Sequence, residues 1–275
     1  MKPLFLMMTL VACGPKTSEP TAAVEAVILP TAESLFERSL EVSGAKEALA
    51  DIETLTSKSV MRIPAAGIEG EILVQFQAPN LLRVSQDVPG IGAGVVGYNG
   101  TVAWSSDNMV GPRIIEGKER DEFLMDSEID SDLRYAHWYP EMTTIGLVEF
   151  KGKPAYKVEA ISRFDRTDTK YFDPETGFLT GESYEVQSPL GPMTMVLHYQ
   201  KIKEMGGIMI PSLTIIETGP ISMETEILTM EKNQPLAEDL FALPPEIEEL
   251  LAEAAEDEAA TEGEAPATPE TPTAE

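Results

Sequence analysis

"GIGAGVVGYNGTVAW", residues 90–104, contains Gly92-x-Gly94-x-x-Gly97, the glycine spacing of a dinucleotide-binding loop, and how it is read decides the fold. A dinucleotide loop needs a helix to open at its last glycine, so that the helix N-terminus faces the pyrophosphate. Here Gly97 leads into Tyr98, then Asn99-Gly100, then Thr101-Val102-Ala103-Trp104. Asn-Gly between two β-rich runs is a strong hairpin signal, because both residues tolerate the positive φ of a tight reversal. The glycines therefore enter a strand, and no nucleotide site is expected. The stretch PGIGAGVV (89–96) allows two readings: a flexible connection, or a mobile apolar loop whose Ile91, Val95 and Val96 touch lipid or cover a cavity.

Outward from this hairpin the chain alternates with period two. Ile72, Val74 and Phe76 share one face of a strand, and Leu82 and Val84 continue the pattern after Pro79-Asn80. Tyr156, Val158 and Ala160 alternate with polar neighbours, as do Met193, Met195 and Leu197, and later Met223, Thr225 and Ile227. Turn signals separate these runs at Lys151-Gly152-Lys153, Asp173-Pro174-Glu175-Thr176-Gly177 and Met205-Gly206-Gly207. Strands at close spacing without interleaved helices mean an antiparallel sheet. Helical segments precede and interrupt it. Thr31 caps AESLFERSLEVSG, with Leu35, Phe36 and Leu40 on one face and Gly44 as the stop; AKEALADIETL follows with Ala48, Leu49 and Ile52 facing inward. The stretch GKERDEFLMDSEIDSDLRYAHWYPEM holds one or two more helices against the sheet.

The ends set the compartment. Lys2, the apolar Leu4–Leu10 and Leu10-Val11-Ala12-Cys13 have the layout of an export signal, with an apolar run far shorter than the roughly 20 residues of a membrane span. Cys13 is the sole cysteine of 275 residues, so no internal disulfide forms. It reads as a lipidated N-terminus rather than a core thiol. The expected organisation is a signal peptide over 1–12, a lipid-anchored tether over 13–30, one folded domain over 31–245 and an acidic helix end with a disordered tail over 246–275. The net charge of −27 excludes a nucleic-acid partner, which needs a basic footprint. The final stretch DEAATEGEAPATPETPTAE lacks large apolar residues and is expected to stay disordered, as a solvated tail or a contact for a protein partner.

Taken in order, the lipoprotein signal, GEILVQFQAPNLLRV, YNGTVAW, YFDPETGFLTG, GGIMIPS and EKNQPLAEDLFALP resemble the superfamily of outer-membrane lipoprotein carriers and receptors, LolA/LolB-like, over about residues 32–244. The resemblance implies a mainly β fold with α: an incomplete, half-open antiparallel β-barrel wrapped around helices, with an apolar cavity for acyl chains. It also implies that an arginine before Pro-Asn would latch the helical lid of a soluble carrier. Here that position is Ala78, while anchoring through Cys13 and Gly14 at the next position suit an outer-membrane receptor facing the periplasm. Ile91 would take the place of the receptor's protruding apolar residue. The expected cavity lining is Ile72, Val74, Phe76, Leu82, Val84, Trp104, Met193, Met195 and Leu197.

Catalytic signatures are wanting. His137 and His198 are far apart in sequence, and no Gly-x-Ser-x-Gly elbow occurs. Asp126-x-Glu128-x-Asp130-x-Asp132 resembles the start of a calcium loop, but Ser131 and His137 stand where glycine and glutamate are required. The expectation is a non-enzymatic envelope protein without cofactor or metal. It would bind membrane lipid or an acylated lipoprotein in its cavity, for transfer or sorting at the outer membrane. The alternative is a structural envelope lipoprotein whose filled barrel is a scaffold for a partner protein.

Overall fold

The computed structural model describes residues 28–90, 92–187 and 191–262. The signal peptide, Cys13 with its tether as far as residue 27, Ile91 and the chain from 263 onward lie outside the described residues.

Thr31 sits in extended geometry and its hydroxyl accepts from the Ser34 amide, opening α1 (Ala32–Ser43). Gly44, left-handed at φ 68, closes it and starts α2 (Ala45–Leu49), shorter than the sequence suggests. The chain then runs β1 (Thr54–Ile63), β2 (Ile68–Gln77), β3 (Leu81–Val88), β4 (Gly92–Tyr98), β5 (Ala103–Asp107) and β6 (Arg113–Ile115). Two helices, α3 (Gly117–Ser127) and α4 (Tyr135–Trp138), interrupt the sheet. It resumes with β7 (Glu141–Phe150), β8 (Lys153–Ile161), β9 (Thr167–Phe172), β10 (Leu179–Val186), β11 (Met193–Met205), β12 (Ile208–Thr218) and β13 (Ile221–Lys232), and α5 (Pro245–Glu262) follows.

All thirteen strands form one sheet in the order β6-β5-β4-β3-β2-β1-β13-β12-β11-β10-β9-β8-β7. Every pairing is antiparallel, and the β1–β13 pair joins the two halves. Because β6 and β7 stand at opposite edges, the barrel is open. Register fixes what faces inward. Leu55 pairs with Phe76, Phe76 with Leu82, Leu82 with Tyr98, and Tyr98 with Ala103, so these five share the inner face. With Ile115 they form one buried cluster, against which Phe123, Leu124 and Ile129 pack. A second cluster joins Leu35, Phe36 and Leu40 of α1 to Tyr135, Tyr139, Val158, Ala160 and Phe172. Phe36 stacks on Tyr135 at 4.7 Å and meets Phe172 edge-on at 5.2 Å. Burying each such side chain contributes about 1.5–3 kcal/mol. Arg38 then ties α1 to the turn after β9, donating to the carbonyls of Pro174 and Glu175 at 3.2 and 2.6 Å.

The glycine-rich stretch is strand β4, paired on both sides, so Val95 and Val96 do not belong to a mobile loop: Val96 lies opposite Val84 and packs inward, and Val95 lies opposite Ser85. Gly97 has a packing reason, because a Cβ there would stand 2.8 Å from the Trp104 indole lying across it. The hairpin turns through Asn99, whose side chain accepts from the amides of Thr101 and Val102.

The edges differ. α5 packs against β6 and is anchored by the fully buried Ile247. It extends to Glu262, so the helix takes in 257–262, the start of the stretch expected to be disordered; its run of Ala, Glu and Leu favours helix strongly enough. At the other edge, β7 carries a register shift between Thr144 and Gly146, and Ile145 and Leu147 are exposed.

Gly181 of β10 is pinched between β11 and the Phe150 ring: a Cβ there would meet the Leu197 carbonyl oxygen and Phe150 Cε1, both at 2.4 Å. Because one of those atoms is backbone, Gly181→Ala should destabilise the fold by about 1–3 kcal/mol, measured by urea unfolding.

Candidate functional site: an apolar cavity beside a buried ionic cluster

The inner face is filled under β2–β6, and again where α1 packs on β8 and β9, but a hollow remains between these two clusters. A cavity of about 340 Å³ lies between the two N-terminal helices and the strands β1 and β9–β13. Its helical wall is Phe36, Leu40, Ala45, Leu49 and Ile52; the strands supply Leu55, Phe172, Leu179, Tyr199, Ile202, Ile208, Ile210 and Met230, and Ile129 closes one side. The five-residue α2 leaves this part of the sheet uncovered. Lys201, left-handed at φ 52, breaks the alternation of β11, and beyond it Ile202 joins Tyr199 in the wall. The only charged side chains in the lining, among the described residues, are Asp132 and Lys232.

A smaller, polar pocket of about 170 Å³ shares Asp132, Leu179 and Tyr199 with it as a common wall. Its floor is an ionic cluster on the inner face. The buried Arg166 donates to Asp126 through both terminal nitrogens, at 2.7 and 2.6 Å, and to Asp168 at 2.7 and 2.9 Å. Tyr139 donates to Asp168 at 2.5 Å. Lys170 pairs with Glu182, which also accepts from Tyr199. Burial works to lower the Lys170 pKa, but Glu182 and the surrounding acids hold it well above the usual lysine value. Burial works to raise Glu182, and Lys170 together with Tyr199 brings it below the ordinary carboxylate range. Asp126 is raised by its burial despite Arg166. Both cations are thus spent on carboxylates, which remain in excess, and the cluster fixes the geometry of this part of the barrel.

The expected lining residues lie elsewhere. Phe76 and Leu82, with Val74 and Val84, are on the inner face but bury against α3 and the segment after it, so their part of the barrel is full. Trp104 faces outward: Ala103 faces in, so its neighbour faces out, over Gly97 and beneath Arg83. Ile72, Met193, Met195 and Leu197 are half-buried and lie outside the cavity walls. The structure brings none of the nine to the cavity. Cys13 and Ile91 lie outside the described residues. The acids of the calcium-like motif are dispersed, with Asp126 on Arg166 and Glu128 on Arg134 and Trp138. Among the described residues no group of three or more His, Cys, Asp or Glu could hold a metal ion. His198 stands on the outer face, edge-on to Phe150. Sequence reasoning missed the ionic cluster, although the alternation Arg166, Asp168, Lys170, Phe172 on one strand face was there to be seen.

No protein-family model and no curated protein matches the sequence. Solved structures do match. One is a DUF1329 family protein from Desulfovibrio piger, with a TM-score of 0.50 and 9% identity over 76% of this chain and 96% of that one. Another is a LolA superfamily protein from Nitrosomonas europaea, with a TM-score of 0.49 and 14% identity over 78% and 99%. At such identities a likeness concerns the fold alone. The chain shares the overall fold of the DUF1329 protein, here a half-open antiparallel barrel wrapped around helices. Within this half-barrel, the apolar cavity occupies the part under α1 and α2, and the ionic cluster forms the partition beside it.

Lys170→Met strands the buried Glu182 charge and should cost about 3–5 kcal/mol in urea unfolding, whereas Lys170→Met with Glu182→Leu should recover most of that loss. A carboxylate held below its ordinary pKa stabilises the fold above about pH 4.3 and stops doing so as pH falls through its folded value. The double variant should therefore lose less stability than the wild type between pH 7 and pH 3.

Proposed function

We propose that this is a non-enzymatic, lipid-anchored envelope protein that takes acyl chains, from membrane lipid or an acylated lipoprotein client, into the cavity beneath α1 and α2 for transfer or sorting at the outer membrane. The observation that carries this reading is the 340 Å³ cavity, walled mainly by Phe, Leu, Ile, Met and Ala, in a barrel whose β2–β6 half is packed solid. Its size is at the low end of the roughly 300–1,000 Å³ of small-ligand sites, which suits one chain at a time. Transfer would run by differential burial: each methylene moved out of water contributes about 0.8 kcal/mol, so a chain passes between membrane and cavity with little net change. Cys13 as a lipidated N-terminus would keep the cavity near its donor or acceptor membrane. The mutual neutralisation of Arg166, Asp168, Lys170 and Glu182 supports a binding protein over an enzyme.

A second reading rests on the packing of Phe123, Leu124 and Ile129 into the β1–β6 half. A barrel filled this way could be a scaffold, with the acidic α5 as a contact for a partner protein.

Native mass spectrometry of the Cys13→Ser chain tests the first reading; co-purified acyl mass supports it, and a clean mass that takes up no added lipid moves the scaffold reading ahead. Leu49→Trp, which fills the cavity from α2, should lower affinity for an environment-sensitive fluorescent acyl probe about ten-fold or more while the melting temperature holds or rises. Cys13→Ser itself should shift the protein from the membrane to the soluble periplasmic fraction on cell fractionation.

A further inference from the structure

The cavity is polarised along its length. Tyr199 is level with Thr214 and Thr225 across β11, β12 and β13, and Lys232 lies seven positions further along β13, roughly 20 Å away at the rise of a strand. At the Tyr199 end stands Asp132, backed by the carboxylates of Asp126, Asp168 and Glu182, which outnumber the two cations Arg166 and Lys170. At the other end Lys232 lines the cavity as its only cation among the described residues. Its register with Leu55 places it on the inner face, and its ammonium donates to the Ala48 carbonyl at 2.9 Å. No carboxylate lies within 4 Å of it among the described residues. Two of its three protons are free for an acceptor. Solvent-exposed Gly207 borders that nitrogen without a side chain to cover it; a Cβ there would touch it at 3.6 Å.

We infer that the preferred occupant is a single-chain amphiphile with an anionic head, its carboxylate or phosphate held at Lys232 and its chain running inward toward Phe172 and Leu179. This rests on the cavity being an acyl-chain site, and adds which end the head takes and which charge it carries. The excess of carboxylates at the far end repels an anion there, so the head stays at the rim. Lys232 leaves a lone charge-assisted contact to tell an acid from its neutral analogue.

The test uses the full chain with Cys13→Ser, exported and delipidated, and measures displacement of a fluorescent acyl probe by palmitate, 1-palmitoyl lysophosphatidate, hexadecanol and hexadecylamine. Palmitate and the lysophosphatidate should compete about ten-fold better than hexadecanol, and Lys232→Met should remove that advantage while leaving hexadecanol unchanged. The relative strength of the two acids tells a free fatty acid from a lysophospholipid head. If hexadecanol competes as well as palmitate, or hexadecylamine competes best and loses its advantage in Asp132→Asn, the assignment of the head is overturned while the cavity stands. If none of the four competes, the acyl-chain reading itself falls. The wild-type ranking needs no variant, so a poorly folding Lys232→Met leaves the inference open to refutation.

Discussion

Arg166 holds the centre of the inner face. Its guanidinium joins Asp126, in α3, to Asp168, in β9, with four hydrogen bonds, and so fixes where the segment between the two halves of the sheet crosses the barrel. On one side of that crossing Phe123, Leu124 and Ile129 fill the barrel; on the other α1 packs on Val158, Ala160 and Phe172, and with the short α2 it leaves the space before β10–β13 unfilled. The cavity is the residue of that arrangement. An apolar contact in the same place could slide. A bidentate guanidinium–carboxylate pair has one geometry, and its buried partners make any other costly.

This also accounts for the unusual pairing of an oily cavity with an ionic wall. Buried charges are tolerated where each meets its opposite, and here Arg166, Lys170, Asp126, Asp168 and Glu182 do so with Tyr139 and Tyr199 supplying the remaining donors. The wall is polar and cross-linked by its own charges, and it stands between the two compartments of the barrel.

Much of the fold was legible because its signals are local. Thr31 and Gly44 bracket α1, Asn99 marks its hairpin, and Asp173 to Gly177 turn between β9 and β10 as composition suggests. The candidate site was not legible for equally physical reasons. Which face a strand residue takes depends on register with its neighbours, so Trp104, apolar and large, reads as lining although Gly97 makes room for it outside. In β9 the inner face holds Asp168 and Lys170, while the outward Tyr171 stacks on Phe150 at 3.9 Å. Charges face in there and an aromatic ring faces out, the reverse of the pattern that apolar alternation detects. The hollow itself depends on how far α2 extends, and its five residues could be known only from the packed chain.

The two edges of the open sheet are guarded by different means. At β6 the helix α5 packs on the border, whereas β7, which touches α1, leaves Ile145 and Leu147 in water. An edge strand with exposed apolar side chains invites a second chain to add to it. The register shift at Thr144–Gly146 interrupts the regular row of hydrogen-bonding groups that such an addition would need. A copy of the same strand laid along this border would find its hydrogen-bonding partners out of step, so the kink works against sheet growth from one molecule to the next.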